Sequence, residues 1–156
     1  MEIEDIIYPF KEVLIRTFQT MLSITPVPEP LMYGRRDDLV SDITGTIGIA
    51  GDISGTISLR FPEELACRVV SIFLGEDIKK INHDVMDAIG ELVNIITGST
   101  KGILIETQHI DFKLAIPTTI LGQGHVLGYP AGSSIVMVPL AIGSSRFYLE
   151  ICLKEK

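Results

Sequence analysis

The sequence predicts an α+β fold, a largely antiparallel sheet with helices packed on it, formed by a single domain over residues 1–156. Three observations point there. Apolar residues recur at helical spacing near the start of the chain and again from about 62 to 105. Between and after those stretches the spacing changes to two. Strands and helices also come in separate runs rather than in strict alternation, which argues against a parallel sheet built from βαβ units. A length of 156 residues suits one domain with a substantial core.

From Glu2 to about Leu22, the residues Ile3, Ile6, Ile7, Phe10, Val13, Leu14 and Met21 form the stripe of an amphipathic helix, which Pro26, Pro28 and Pro30 bring to an end. From Val40 the period is two: Ile43, Ile47 and Ile49 alternate with Asp42, Thr44 and Thr46, and Ile53, Ile57, Leu59 and Phe61 repeat the pattern. The stretches Asp42–Ile47 and Asp52–Ile57 are near copies, and Gly51 with Asp52 supplies a turn, so the two runs are expected to pair as an antiparallel hairpin. Pro62, Glu63 and Glu64 open a second helix that reaches about Leu74 and stops at Gly75. A longer third helix follows, capped by Asn82 or Asp84. Its stripe Val85, Ile89, Leu92, Val93 and Ile96 carries it at least to Thr97 and on towards Ile105. Phe112 to Ile116 reads as a strand and Pro117 to Ser134 as loop or edge strand. Ser134–Leu140 and Arg146–Leu153 read as a closing hairpin about Gly143.

A net charge of -7 and a pI near 4.9 weigh against nucleic acid and anionic membrane as partners, since both attract clustered Lys and Arg. Cys67 and Cys152 stand far apart in apolar surroundings and read as reduced core thiols rather than a disulfide framework. The acidic start of the chain does not resemble a signal peptide, and the Ile135–Ile142 apolar run is shorter than the roughly 20 residues of a membrane-spanning helix, so a cytoplasmic location is expected. A hydrophobic content of 46% is high for a small acidic chain. That excess suggests that a partner or a second copy covers some apolar surface.

Chemistry concentrates on the third helix. Asp87, Glu91 and Asn94 lie at i, i+4 and i+7, hence on one face, and Gly98 and Lys101 extend the line. Such a line is ordinarily just a solvated face. Its composition argues for more. Asn competes for backbone hydrogen bonds in mid-helix, and Gly90 and Gly98 each cost about 1 kcal/mol against Ala. Glycines beside a polar line allow close approach, whether by a partner or by the protein's own second helix.

The segment from Asp87 through Glu91 and Asn94 to Gly98 resembles the signature of the CheC, CheX and FliY phosphatases of bacterial chemotaxis: Asp or Ser, then Glu four on, Asn three on, and a proline further downstream. Pro117 matches that proline, with twenty-two residues between it and Asn94. Only one such pair is present. Glu12 is followed three on by Ile15, and Glu63 and Glu64 by Ala66 and Cys67, so the chain is CheX-like rather than like CheC, which carries two motifs. The resemblance implies dephosphorylation of a phosphorylated CheY-like receiver domain, with Asn94 orienting the attacking water and Glu91 engaging a receiver lysine. Asp87, Gly98 and Pro117 would support them. It also implies that this chain binds no cofactor, that Mg²⁺ arrives with the receiver, and that two copies pair through sheet edges as a homodimer.

Two other readings compete. His83, Asp87 and Glu91 stand at i, i+4 and i+8, a spacing that could bring an imidazole and two carboxylates to a metal for hydrolysis, although no second His or Cys is near. Alternatively, the chain could bind a regulator as a scaffold without catalysis. His109 and His125 read as surface residues, and Met86 and Met137 as core. The Gly122, Gly124 and Gly128 run lacks the following helix and Lys-Ser or Lys-Thr pair of a phosphate loop, and no serine sits in a nucleophile-elbow pattern.

Overall fold

The computed structural model describes residues 2–34, 36, 39, 41–125 and 127–154. Helix α1 (Glu4–Leu22) buries Ile6, Ile7, Phe10, Val13, Leu14, Phe18 and Leu22. Met21, expected in that stripe, is 41% exposed. Seven residues on from Leu14, Met21 does lie on the inward face, but it sits in the last turn of the helix, where it lines an open groove between α1 and the long third helix instead of packing into the core. Ser23 ends α1 in the left-handed region at φ 54°.

The proline-rich stretch does more than stop α1. It forms two short strands, β1 (Val27–Pro28) and β2 (Met32–Tyr33), both laid antiparallel against β7 (Ser133–Ile142). Proline has no N–H to give, so this is a suitable end for the sheet. Strands β3 (Ser41–Gly51) and β4 (Gly55–Phe61) form the expected hairpin, with Ile47 opposite Ile57. Val40, the expected start of the first run, lies outside the described residues.

Helix α2 (Glu63–Leu74) ends at Gly75, whose φ of 69° favours glycine. Helix α3 (His83–Gln108) is capped by Asn82, whose side chain accepts a hydrogen bond from the Val85 N–H at 2.9 Å; the cap is therefore not Asp84. Strand β5 (Phe112–Leu114) is shorter than expected, and Ile116 is 87% exposed. The Gly-rich stretch contains an edge strand, β6 (Thr118–His125), paired with β3. Strand β7 and strand β8 (Ser145–Lys154) form the closing hairpin.

The sheet runs β1-β7-β8-β4-β3-β5, with β2 also on β7 and β6 also on β3, and all of these pairings are antiparallel. Alternation along the strands sorts the two faces. Ile43, Ile47, Ile57, Leu59, Phe61, Phe147 and Leu149 are fully buried in the core shared with the three helices. Phe147 stacks between Phe18 of α1 and Phe61 of β4, at centroid distances of 5.1 and 4.8 Å.

The other face is polar yet covered. Arg60 and Glu150, 2% and 1% exposed, form an ion pair at 3.0 Å. Arg60 also donates to the Ser41 hydroxyl and to the Leu39 carbonyl. Burial, with Glu150 beside it, pushes the Tyr129 phenol well above its usual range.

By length and composition alone α3 could cross a membrane. Its apolar residues Val85, Ile89, Leu92, Val93 and Ile96 are instead fully buried against the rest of the core. Cys67 and Cys152 are buried and unpaired, Met137 is core, and Met86 packs partly buried against it.

Candidate functional site

The residues singled out on α3 occupy its outward face just where the helix crosses the sheet. Asp87, Glu91 and Gly98 are exposed, Asn94 is half-buried, and the flanking Leu92, Val93 and Ile96 are buried. One helix therefore serves as core spine on one side and as candidate site on the other. Among the described residues, neither the Glu91 carboxylate nor the Asn94 amide has a hydrogen-bond or ion-pair partner within the chain. Both groups are free to engage something outside it. Lys101, further along the line, is drawn to Asp111 at 3.7 Å.

Two grooves flank this line. Towards α2, an open groove of about 420 Å³ is lined by Phe73, Leu74, Glu76, Asp84, Asp87 and Glu91, an apolar floor under an acidic rim. Towards α1, one of about 480 Å³ is lined by Val13, Arg16, Met21, Ile95, Ser99 and Ile103 among others. The accessible surface around Glu91 and Asn94 is thus open and ridged. Among the described residues, what flanks the line is shallow groove rather than a deep pocket for a small substrate, which suits a protein-sized partner.

The two helix glycines have different surroundings. A Cβ on Gly90 would lie 3.4 Å from the Thr119 hydroxyl oxygen and 3.8 Å from the Pro117 Cβ. Its close neighbour is therefore β6 and the proline before it, and neither α2 nor an outside partner. Gly98 has nothing within 4 Å of where its Cβ would be. Pro117, twenty-two residues beyond Asn94 in sequence, comes back beside Gly90 because the chain turns after α3, pairs β5 with β3, and then lays β6 on β3. The structure thus brings Asp87, Glu91, Asn94 and Gly98 onto one face, with Pro117 packed behind the helix turn that precedes Glu91.

His83 stands in the first turn of α3, and among the described residues no three His, Cys, Asp or Glu side chains gather so as to hold a metal ion. The spacing at His83, Asp87 and Glu91 therefore does not become a metal centre. His109 is an exposed residue ending α3 at φ 56°. His125 corrects its expectation: it is half-buried in β6, where Nδ1 donates to the Gly122 carbonyl at 2.7 Å, leaving Nε2 to accept from the Thr44 hydroxyl at 2.8 Å. It is a structural tie between β6 and β3.

One neighbour of the site went unnoticed in the sequence. Gly45 in mid-strand β3 lies beneath α3, and a Cβ there would stand 2.8 Å from Ile89 Cγ2 and 3.0 Å from the Ile89 carbonyl oxygen. A glycine inside a strand signals such close approach, and the Thr44, Gly45, Thr46 run carried that signal.

A family model described as the chemotaxis phosphatase CheX matches residues 43–141, a span that includes α3 and Pro117. The chain belongs to the CheX family. It is 24% identical over 141 residues to the CheY-P phosphatase CheX of Thermotoga maritima, a match covering 89% of each chain. Among solved structures, a CheC-like superfamily protein from Shewanella sp. PV-4 superposes with a TM-score of 0.91 at 28% identity, covering 99% of this chain and 100% of the other. The chemotaxis protein CheX of Vibrio vulnificus gives 0.89 at 30% identity, covering 96% and 99%. The expected α+β architecture, an antiparallel sheet with three helices, is thus that of CheX and CheC-like proteins.

Proposed function

We propose that this CheX-family chain hydrolyses the aspartyl phosphate of a CheY-like response-regulator receiver, with Glu91 and Asn94 as its catalytic pair. The observation that carries the reading is the pairing of these two unpartnered side chains on the outward face of a helix whose other face is locked in the core. The relative from Thermotoga maritima, named for action on CheY-P, supports the choice of substrate.

A receiver presents its own acyl phosphate and Mg²⁺, so the work left to the phosphatase is to place a water in line and keep the geometry. The amide of Asn94 has an acceptor oxygen and two N–H donors, enough to hold a water and a phosphoryl oxygen together. The water oxygen attacks phosphorus, the bond from phosphorus to the acyl oxygen breaks, and the receiver aspartate departs as a carboxylate with phosphate as the other product. No ionisation of Asn94 is needed. Glu91 pairs with a receiver lysine, anchoring the helix and drawing that cation from the acyl phosphate. Asp87 lies one turn before Glu91 and adds to the negative rim, while Gly98 leaves room beyond Asn94. The chain itself takes no cofactor; Mg²⁺ stays with the substrate protein. The reaction belongs in the cytoplasm.

Two copies pair through a sheet edge as a homodimer; sedimentation giving a monomer at micromolar concentration would remove that part. The central test follows phosphate release from phosphorylated receivers. Asn94→Ala is expected to lose activity by on the order of 100-fold, while binding to a beryllofluoride-loaded receiver is largely kept. Equal rates for wild type and Asn94→Ala would overturn the mechanism and leave a scaffold that only binds.

A further inference from the structure

We infer that Thr119 is a positioning residue for this site, holding the turn of α3 that aims Glu91; the inference rests on the function proposed for Glu91 and Asn94. The Thr119 hydroxyl donates a 2.8 Å hydrogen bond to the main-chain carbonyl of Met86. Within an α-helix that carbonyl already serves the N–H four residues on, which is Gly90. A second donor from outside ties the helix backbone itself to the sheet. Side-chain packing alone does not do this.

The same turn is seated at two further points. Gly90 faces Thr119 and Pro117, and Ile89 rests on Gly45, which is paired directly with Thr119 across β3 and β6. Gly45, Pro117 and Thr119 thus form a seat under Met86, Ile89 and Gly90, and the next residue is Glu91. Successive helix residues are set about 100° apart around the axis, so fixing the rotation of this turn fixes where the next residue, Glu91, points. Thr119 is the one member of the seat that holds the helix by a directional bond.

The test uses the full chain and a receiver domain phosphorylated with acetyl phosphate. Thr119→Val keeps shape and removes the donor; Thr119→Ser keeps the donor. The expected result is a fall of about tenfold in kcat/KM for Thr119→Val, recovery in Thr119→Ser, and no further loss when Thr119→Val is added to Glu91→Ala. Amide exchange should quicken at residues 90–94 in Thr119→Val. Wild-type activity in Thr119→Val, or the same fold-loss in the Glu91→Ala background, overturns the inference, since a general loss of stability would act regardless of Glu91. Should wild type release no phosphate, or Glu91→Ala match it, the proposed function fails instead. Amide exchange then still decides whether Thr119 holds the turn, and unchanged exchange overturns it.

Discussion

Alanine at Gly98 and at Gly102 should separate what α3 needs for folding from what it needs for its partner. Both glycines are exposed in mid-helix, and neither has any atom within 4 Å of where a Cβ would stand. The added methyl therefore gains no packing and meets no clash, and only the backbone preference is left. That preference favours Ala by about 1 kcal/mol at each position. In a chain of this size 1 kcal/mol corresponds to a rise of about 2–4 °C in Tm. Measured away from the receiver, the two variants should be equally stabilised. Measured on a phosphorylated receiver, they should part. Gly98 is one turn, about 6 Å, beyond Asn94 and Gly102 about 12 Å. A methyl at 98 would hold an incoming surface away by roughly its own thickness, and misplacement near 1 Å can cost on the order of 100-fold. Calorimetry and phosphate release together give the answer: Gly98→Ala more stable but at least about tenfold slower, Gly102→Ala more stable and unimpaired. If Gly98→Ala gains the stability and keeps full activity, close approach at Gly98 is not part of the reaction.

Further outcomes follow from contacts elsewhere. Gly45→Ala forces a Cβ to 2.8 Å from the Ile89 side chain and 3.0 Å from its carbonyl. It should cost about 1–3 kcal/mol in a denaturant titration and slow catalysis as well, because α3 must lift at the turn before Glu91. Arg60→Ala leaves Glu150 buried and without its cation. Urea unfolding should reveal a loss of about 3–5 kcal/mol, whereas replacing both partners with apolar residues should cost less than this single change. Burial, helped by the charge of Glu63, raises the Cys67 thiol above its ordinary range, so the fraction present as reactive thiolate at pH 7 to 8 is lowered. A thiol reagent in that range should label the native protein slowly and the unfolded protein fast; rapid native labelling at Cys67 would contradict the buried environment.

Much of this fold was legible because its signals are local. The copied Asp42–Ile47 and Asp52–Ile57 stretches gave the hairpin, the proline and glycine about residues 62–75 bounded α2, and the stripe of α3 identified the buried side of the site helix. Less legible was whatever depends on contacts far apart in sequence. Nothing near Val27 or Met32 announces that these residues pair with β7, more than one hundred residues later. Met21 has the right phase for the stripe yet stays exposed, because periodicity gives the face a residue occupies and not whether a neighbouring element covers it there. The arrangement of Asp87, Glu91 and Asn94 was readable from spacing, but spacing alone does not distinguish a site from a solvated face. The support beneath it was not readable at all, since Gly45, Pro117 and Thr119 reach α3 only through the pairing of β3 with β6.

The position of β8 has a consequence for how the molecule comes into being. Residues 145–154 lie between β4 and β7, and the Arg60 to Glu150 pair closes a loop of ninety residues. Pairings at such separation must overcome the entropy of a long closure before any contact rewards it, which places this topology among slow folders. During synthesis β4, with its alternating apolar residues and one open edge, waits for a partner strand that is made about ninety residues later. In that interval the nascent chain exposes an unpaired β-edge, and its yield in a cell should depend on chaperones that shield it.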